Sequence, residues 1–228
     1  MDTRLLLQGF RYLDTFFPSG GFAFSSGLET AVHEDHVRTI EDLNRYVVDF
    51  FRWGLGTCEA VALAQAYQAS CKRDIDGVIQ TDNALEAMKL CQETRAASRQ
   101  MGRSLLHHAI PPEENQGILE EFSTAVYSRG SPGHLAVTFG VVFQTIGWDQ
   151  QQTVAGFLYQ AGVGFVSASY KLLPIGQREG QRLLESWVPL IEKLSRTVDA
   201  RMPLMSWTPI QDIYAIRHSQ LPSRMFRS

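Results

Sequence analysis

From Gly130 to Tyr170 the chain carries one formal charge, Asp149. A stretch that apolar belongs either in a membrane or at the centre of a folded core. Gln144, Gln150 to Gln152, Gln160, Ser167 and Ser169 interrupt it, and Gly147-Trp148-Asp149 divides it into two pieces of core-helix length. The pattern predicts two helices, apolar on every side, packed together as the central pair of a soluble fold, and no membrane partner.

Most of the rest has helical periodicity. From Asp82 onward, Leu85, Met88, Cys91, Ser98, Met101 and Leu105 recur at spacings near three and four, which predicts one long amphipathic helix ended by Pro111-Pro112. A second stripe runs through Leu43, Val47, Phe50 or Phe51 and Leu55, started by Thr39 and Asp42, with Gly54 and Gly56 marking a kink or junction. Leu183 to Val198 is helical with a kink or restart at Pro189. No β-hairpin or βαβ alternation is present. The expected fold is an all-α, single-domain bundle of roughly eight to ten helices, since 228 residues suit one domain.

Charge bounds the function. With 21 Lys+Arg against 24 Asp+Glu, neither a disordered chain nor a nucleic-acid binder relying on bulk positive charge fits. Cys58, Cys71 and Cys91 make no disulfide framework and no CxxC motif, and the three leucines after Arg4 are too short for a signal peptide, so a cytoplasmic protein is expected. Residues 196–228 hold five arginines against Asp199 and Asp212, a basic end on an otherwise acidic chain. Pro203, Pro209 and Pro222 prevent this segment from forming one helix. The expected division is a helical body over 1–200 and an Arg- and Pro-containing tail over 201–228.

Candidate chemistry is sparse. The stretch Pro18 to Glu29 is Gly-rich, but it lacks the Lys-Ser/Thr of a phosphate loop and the Gly-x-Ser-x-Gly of a hydrolase. Ser26 and Glu29 have capping-box spacing, so a helix starts here. The residues leave open whether this is a plain connecting loop or one that presents Phe22 or Phe24 to a partner. His33 and His36 stand at i and i+3, a spacing that can place two imidazoles on one helical face, yet two ligands do not close a metal site. His107 and His108, adjacent, cannot chelate from one face. His134 opens the apolar stretch in a core or capping role. Leu173 to Gln181 reads as a turn between helices.

Five segments in order resemble the urease accessory protein UreF family: Phe17 to Glu29; Arg99-Gln100-Met101-Gly102-Arg103; Gly133-His134 leading to Phe139-Gly140; Val166-Ser167-Ala168 running on to Pro174-Ile175-Gly176-Gln177 and Gly180-Gln181; and the closing run Ile216 to Ser228. The resemblance implies an all-helical, non-enzymatic adaptor. It would dimerise, bind UreD (also called UreH) and recruit the GTPase UreG, so that nickel reaches apo-urease. It implies no stably bound cofactor, nickel being handled by the complex. It also implies a tail loosely held alone and ordered inside UreD. The partner-binding residues carried over are Arg217, His218, Ser223, Arg224, Phe226 and Arg227 in the tail, with Phe22, Phe24 and Gln177; Arg224 is foremost, its planar fork suiting a carboxylate or backbone partner. Phe24 stands where many relatives have Tyr, Ser219 where the tail usually has Glu, and Arg178 where Thr is usual. The rival readings are a direct nickel metallochaperone using His33 and His36 or the cysteines, and a small helical enzyme with a site assembled from distant residues.

Overall fold

Short polar residues set several helix starts. In the computed structural model, which describes residues 2–109 and 117–227, Asp2 caps α1 (Thr3–Leu13) by accepting the Arg4 amide at 3.0 Å. After α2 (Leu28–His33), Thr39 and Asp42 form a full capping box at the start of α3 (Ile40–Phe50), as their spacing predicts. A π-helical segment (Phe51–Glu59) follows without a break and continues into α4 (Ala60–Cys71). Then come α5 (Ile75–Met88), α6 (Gln92–Ala109), α7 (Ile118–Tyr127), α8 (Leu135–Ile146), α9 (Gln150–Leu172), α10 (Gln177–Thr197) and α11 (Pro209–Arg217). With α3, the π segment and α4 counted as one rod, the described residues form ten helical rods and no strand. The fold is all-α.

The expected junction at Gly54 and Gly56 is the π segment. A Cβ at Gly54 would lie 3.0 Å from the Thr208 methyl, and one at Gly56 2.6 Å from the Phe51 carbonyl oxygen. The wide turn therefore needs both glycines, and its carbonyls at Thr57 and Trp53 accept the amides of Met205 and Trp207 at 3.0 and 2.8 Å. The extended stretch between α10 and α11 is stitched to the body there. Pro189 lies within α10, which runs through it.

Three sequence expectations need correction. The apolar pieces are separate helices broken at Gly147-Trp148-Asp149, but α8 pairs chiefly with α4 rather than with α9. The cause is small residues: Ala60, Ala62, Ala64 and Ala66 are buried on α4, and a Cβ at Gly140 would lie 2.5 Å from the Leu63 carbonyl oxygen. α9 packs mainly on α10 instead. Next, the long helix from Asp82 is two helices, because Lys89 turns into extended backbone (ψ 105°) and sends its ammonium to Glu59, 2.5 Å away. A tertiary ion pair overrides helical period at that point. The prolines expected to end the pattern, Pro111 and Pro112, lie outside the described residues. Last, Ser26 and Glu29 make no capping box: Ser26 has φ +53°, Gly27 is the cap residue of α2, and the Glu29 carboxylate is used elsewhere.

The motif glycines have a packing role. Gly102 on α6 lies against the Gly133 carbonyl and the His134–Leu135 peptide, where a Cβ has no room. Two of the family-like segments therefore touch through backbone. Among the described residues no helix is long and apolar enough to cross a membrane.

Candidate partner-docking site

The basic tail is packed on the body in this structure. Its anchor is Glu29, buried on α2, a helix that the Gly-rich loop leads into. Oε1 of Glu29 accepts the Met225 amide at 2.6 Å, while Oε2 accepts the Phe226 amide at 3.1 Å and His218 Nε2 at 2.8 Å. On α6, Glu93 takes His218 Nδ1 at 2.8 Å on one oxygen and Arg224 Nη1 at 3.0 Å on the other. The Arg227 amide donates to the Ala23 carbonyl at 2.8 Å. Phe226 is buried, with Lys171 Nζ of α9 5.1 Å from its ring centroid. Farther out, Arg217 at the end of α11 pairs with Glu34 at 3.1 Å.

These contacts place the candidate residues. His218 and Phe226 are interior, Arg224 and Arg217 are half in solvent, and Ser223 and the Arg227 residue are exposed. Phe22, in the 3-10 turn Gly21–Ala23, is 70% exposed beside the Ala23 carbonyl that receives Arg227. Phe24 is half-buried and lines a pocket of about 270 Å³ that opens to solvent. Gln177 opens α10, where its carbonyl accepts the Tyr170 hydroxyl at 3.3 Å, and it is not part of the Glu29–Glu93 bond set. The structure thus joins the two ends of the chain into one surface and leaves Gln177 out of that network.

Glu29 and Glu93 receive the tail on the body, and sequence reasoning missed both. Glu29 was accounted for as a helix cap, and Glu93 sits among polar residues with nothing to single it out. The available signal was arithmetic: a buried-ready segment with His and Arg needs carboxylates on the body to meet it.

The cavity behind Phe24 is mostly apolar but holds the Lys89–Glu59 pair, with Cys58 and Asp212 on its lining. Burial pushes the Cys58 thiol up to about 12, with Glu59 adding to the shift, so without a bound metal it stays a neutral thiol at neutral pH. Burial and Glu59 together raise the Asp212 carboxyl above its ordinary value. Burial pulls Lys89 down, but Glu59 outweighs it and the ammonium stays charged. Among the described residues no three His, Cys, Asp or Glu side chains gather as a metal site. α2 ends at His33, so His33 and His36 do not share a helical face; His36 Nδ1 lies 3.7 Å from Glu34 and its ring 5.5 Å from Tyr214.

The body is all-helical and holds its basic tail on its own carboxylates, and comparison sets the chain among urease accessory proteins. The urease accessory protein UreF of Actinobacillus pleuropneumoniae is 31% identical over 95% of this chain and 96% of its own length. UreF of Bacillus sp. strain TB-90 is 30% identical over 98% and 99%, and that of Haemophilus influenzae 29% over 95% and 92%. The UreF family profile matches residues 37–187. The chain belongs to the UreF family.

Proposed function

We propose that the chain is a non-catalytic adaptor of urease maturation in the cytoplasm. It assembles as a homodimer with UreD (UreH) and the GTPase UreG on apo-urease, so that nickel passes to the enzyme as cargo of the complex and not as a resident cofactor of this chain. Residues 1–200 supply the helical body and 201–228 the docking element. The observation that carries this reading is the convergence of the closing segment with the Gly-rich segment: the Arg227 amide bonds the Ala23 carbonyl next to the exposed Phe22, and Arg224 and Met225 are exposed on the same tail. Arginine and aromatic side chains on a rigid support are the residue types that dominate protein interfaces. The dimer, the cytoplasmic setting and the named partners rest on family resemblance together with that surface.

The test is size-exclusion chromatography with light scattering of the full chain mixed with UreD. The expected result is co-elution by the parent and at least tenfold weaker association for the full-length variant carrying Phe22→Ala and Arg224→Ala. Parent-like association by that variant, with its helical content intact, overturns the assignment of this face.

A further inference from the structure

The pocket that runs from the Gly-rich loop to the start of α11 has apolar walls and one charged end. It holds about 270 Å³ and opens to solvent. At the charged end Lys89 and Glu59 pair at 2.5 Å, their side chains only 15% and 13% exposed. Asp212 lies close enough to feel both members of the pair. Burial first and Glu59 second push its carboxyl above its ordinary value, and Lys89 offsets them only in part. The Thr208 hydroxyl is its hydrogen-bond partner, and among the described residues Asp212 has no ion pair. Lys89 is also the one cation among the described residues that line the pocket, against the carboxylates of Asp14, Glu59 and Asp212. Two carboxylates thus share one ammonium at this end, which is short of a positive charge.

The apolar part adjoins that end. A Cβ on Gly54 would lie 3.0 Å from the Thr208 methyl and 3.2 Å from the Phe50 ring, so Phe50 borders the polar residues directly. Phe50 meets Phe165 of α9 edge-on, with ring centroids 5.7 Å apart. Beside Phe165 on the pocket lining is Gly164, inside α9. A Cβ at Gly164 would meet nothing within 4 Å, whereas one at Gly162 would lie 3.2 Å from Leu184 of α10. Close packing accounts for Gly162. It does not account for Gly164, because glycine inside a helix is destabilising relative to alanine and no neighbour here needs the room. The space that Gly164 leaves open belongs to the pocket.

We propose that this pocket binds a hydrophobic organic cation, an ammonium group carrying an apolar chain. The ammonium enters beside Asp212 and Glu59 and supplies the missing positive charge, while the chain lies along Phe24, Phe50 and Phe165 in the space over Gly164. Charge and shape each select part of this ligand. An anionic head of the same size adds a further negative charge where two carboxylates already compete for Lys89. A small cation without a chain answers the charge but leaves the apolar walls uncovered, and covering them is where most of the binding free energy lies. Aromatic walls suit the cation as well, since ring faces attract an ammonium. The inference goes beyond the adaptor reading and does not depend on it.

The experiment is isothermal titration of the full chain at pH 7 with octylammonium chloride below its micelle concentration. Sodium octanoate, with the same chain and the opposite charge, and methylammonium chloride, with the same charge and no chain, are titrated in parallel. The expected result is saturable binding of one octylammonium per chain, with octanoate and methylammonium each at least about tenfold weaker. Gly164→Leu is the decisive variant. It fills the open space without changing any charge, and leucine is the better helix former. Octylammonium affinity should fall by at least about tenfold in G164L while helical content is kept. Asp212→Asn should weaken octylammonium by about tenfold and leave octanoate no weaker than before. Absence of saturable octylammonium binding, or octanoate or methylammonium binding as tightly, overturns the proposal. So does parent-like affinity in a folded G164L, which would mark a general attraction of the cation to an acidic chain. Should G164L fail to fold, D212N decides, and parent-like octylammonium affinity there overturns it. All of these readings are made on the chain alone, so they stand apart from whether it associates with UreD.

Discussion

Two buried carboxylates in this molecule do the same job in different places. Asp82 on α5 accepts the Ser131 hydroxyl at 2.5 Å and the amides of Gly133 and His134 at 2.6 and 2.9 Å, pinning the turn between α7 and α8. Glu29 accepts two amides and a side chain in the same manner, but from the tail. Each site also buries a histidine. His134 has Ser98 Oγ at 3.1 Å on Nδ1 and Glu86 at 2.8 Å on Nε2, so a neutral ring accepts from the hydroxyl and donates to the acid. His218 has a carboxylate on both sides. One hydroxyl in place of one carboxylate separates the two histidine settings. Location sets the consequence: the turn at 131–134 lies between α7 and α8 of the core, whereas residues 221–227 form no helix and are held by their contacts to Glu29, Glu93 and Ala23.

The comparison breaks most visibly at Asp82. Asp82→Ala strands three donors in the interior and loosens the start of α8, the most completely buried helix. Urea unfolding should show a loss of about 3–5 kcal/mol. A loss under about 1 kcal/mol would show that water or a shifted loop replaces the carboxylate, and the turn would no longer count as the rigid half of the pair.

Glu29→Ala removes a carboxylate with an equal number of donors, yet the expected loss of global stability is smaller, about 1–2 kcal/mol, because the tail opens instead of the fold. Amide protection at 225–227 should drop roughly a hundredfold while that of α8 is retained. Equal loss of protection in both regions would mean that the tail and the body unfold as one unit.

The buried His134 makes stability depend on pH. Burial holds His134 below its ordinary 6.5, against the pull of Asp82 and Glu86. A base with a lowered folded-state value binds fewer protons folded than unfolded, so its contribution is nil above about pH 6.5 and becomes a growing loss of stability as pH falls beneath it. Urea midpoints measured from pH 7 to 5 should decline, and His134→Gln should flatten part of that decline. A steeper decline in the variant would reverse the assignment.

How much of this was legible follows the same division. Local chemistry was readable: the Thr39–Asp42 box, the break at Gly147-Trp148-Asp149 and the glycine junction at 54 and 56 each depend on neighbours within a few residues. Long-range pairing was not. Nothing near Lys89 signals that it leaves the helix for Glu59, 30 residues earlier, or near Glu29 that its partners lie almost 200 residues away. Ser26 and Glu29 even carried a correct local spacing for a contact the structure does not make, because a buried carboxylate facing a histidine ring and two amides is worth more than a surface cap. The tail residues themselves were readable through family resemblance, their receptors only through the fold.

The smallest expected effect tests whether the clasp depends on burial or merely on the number of arginines. Arg217 joins the tail to Glu34 at 3.1 Å, but its side chain is 54% exposed. An exposed pair gives back in side-chain ordering and solvent screening most of what it gains, leaving well under 1 kcal/mol. Arg217→Ala should therefore change tail protection by about twofold or less, although it removes as much formal charge as Arg224→Ala. Arg224 reaches the carboxylate that also holds the buried His218 ring, so its removal unbalances charge inside the site, and the expected loss of protection is several times larger. Equal effects from the two substitutions would show that the tail is held by diffuse attraction between a basic segment and an acidic body, and the distinction between a specific clasp and a general charge match would fall with it.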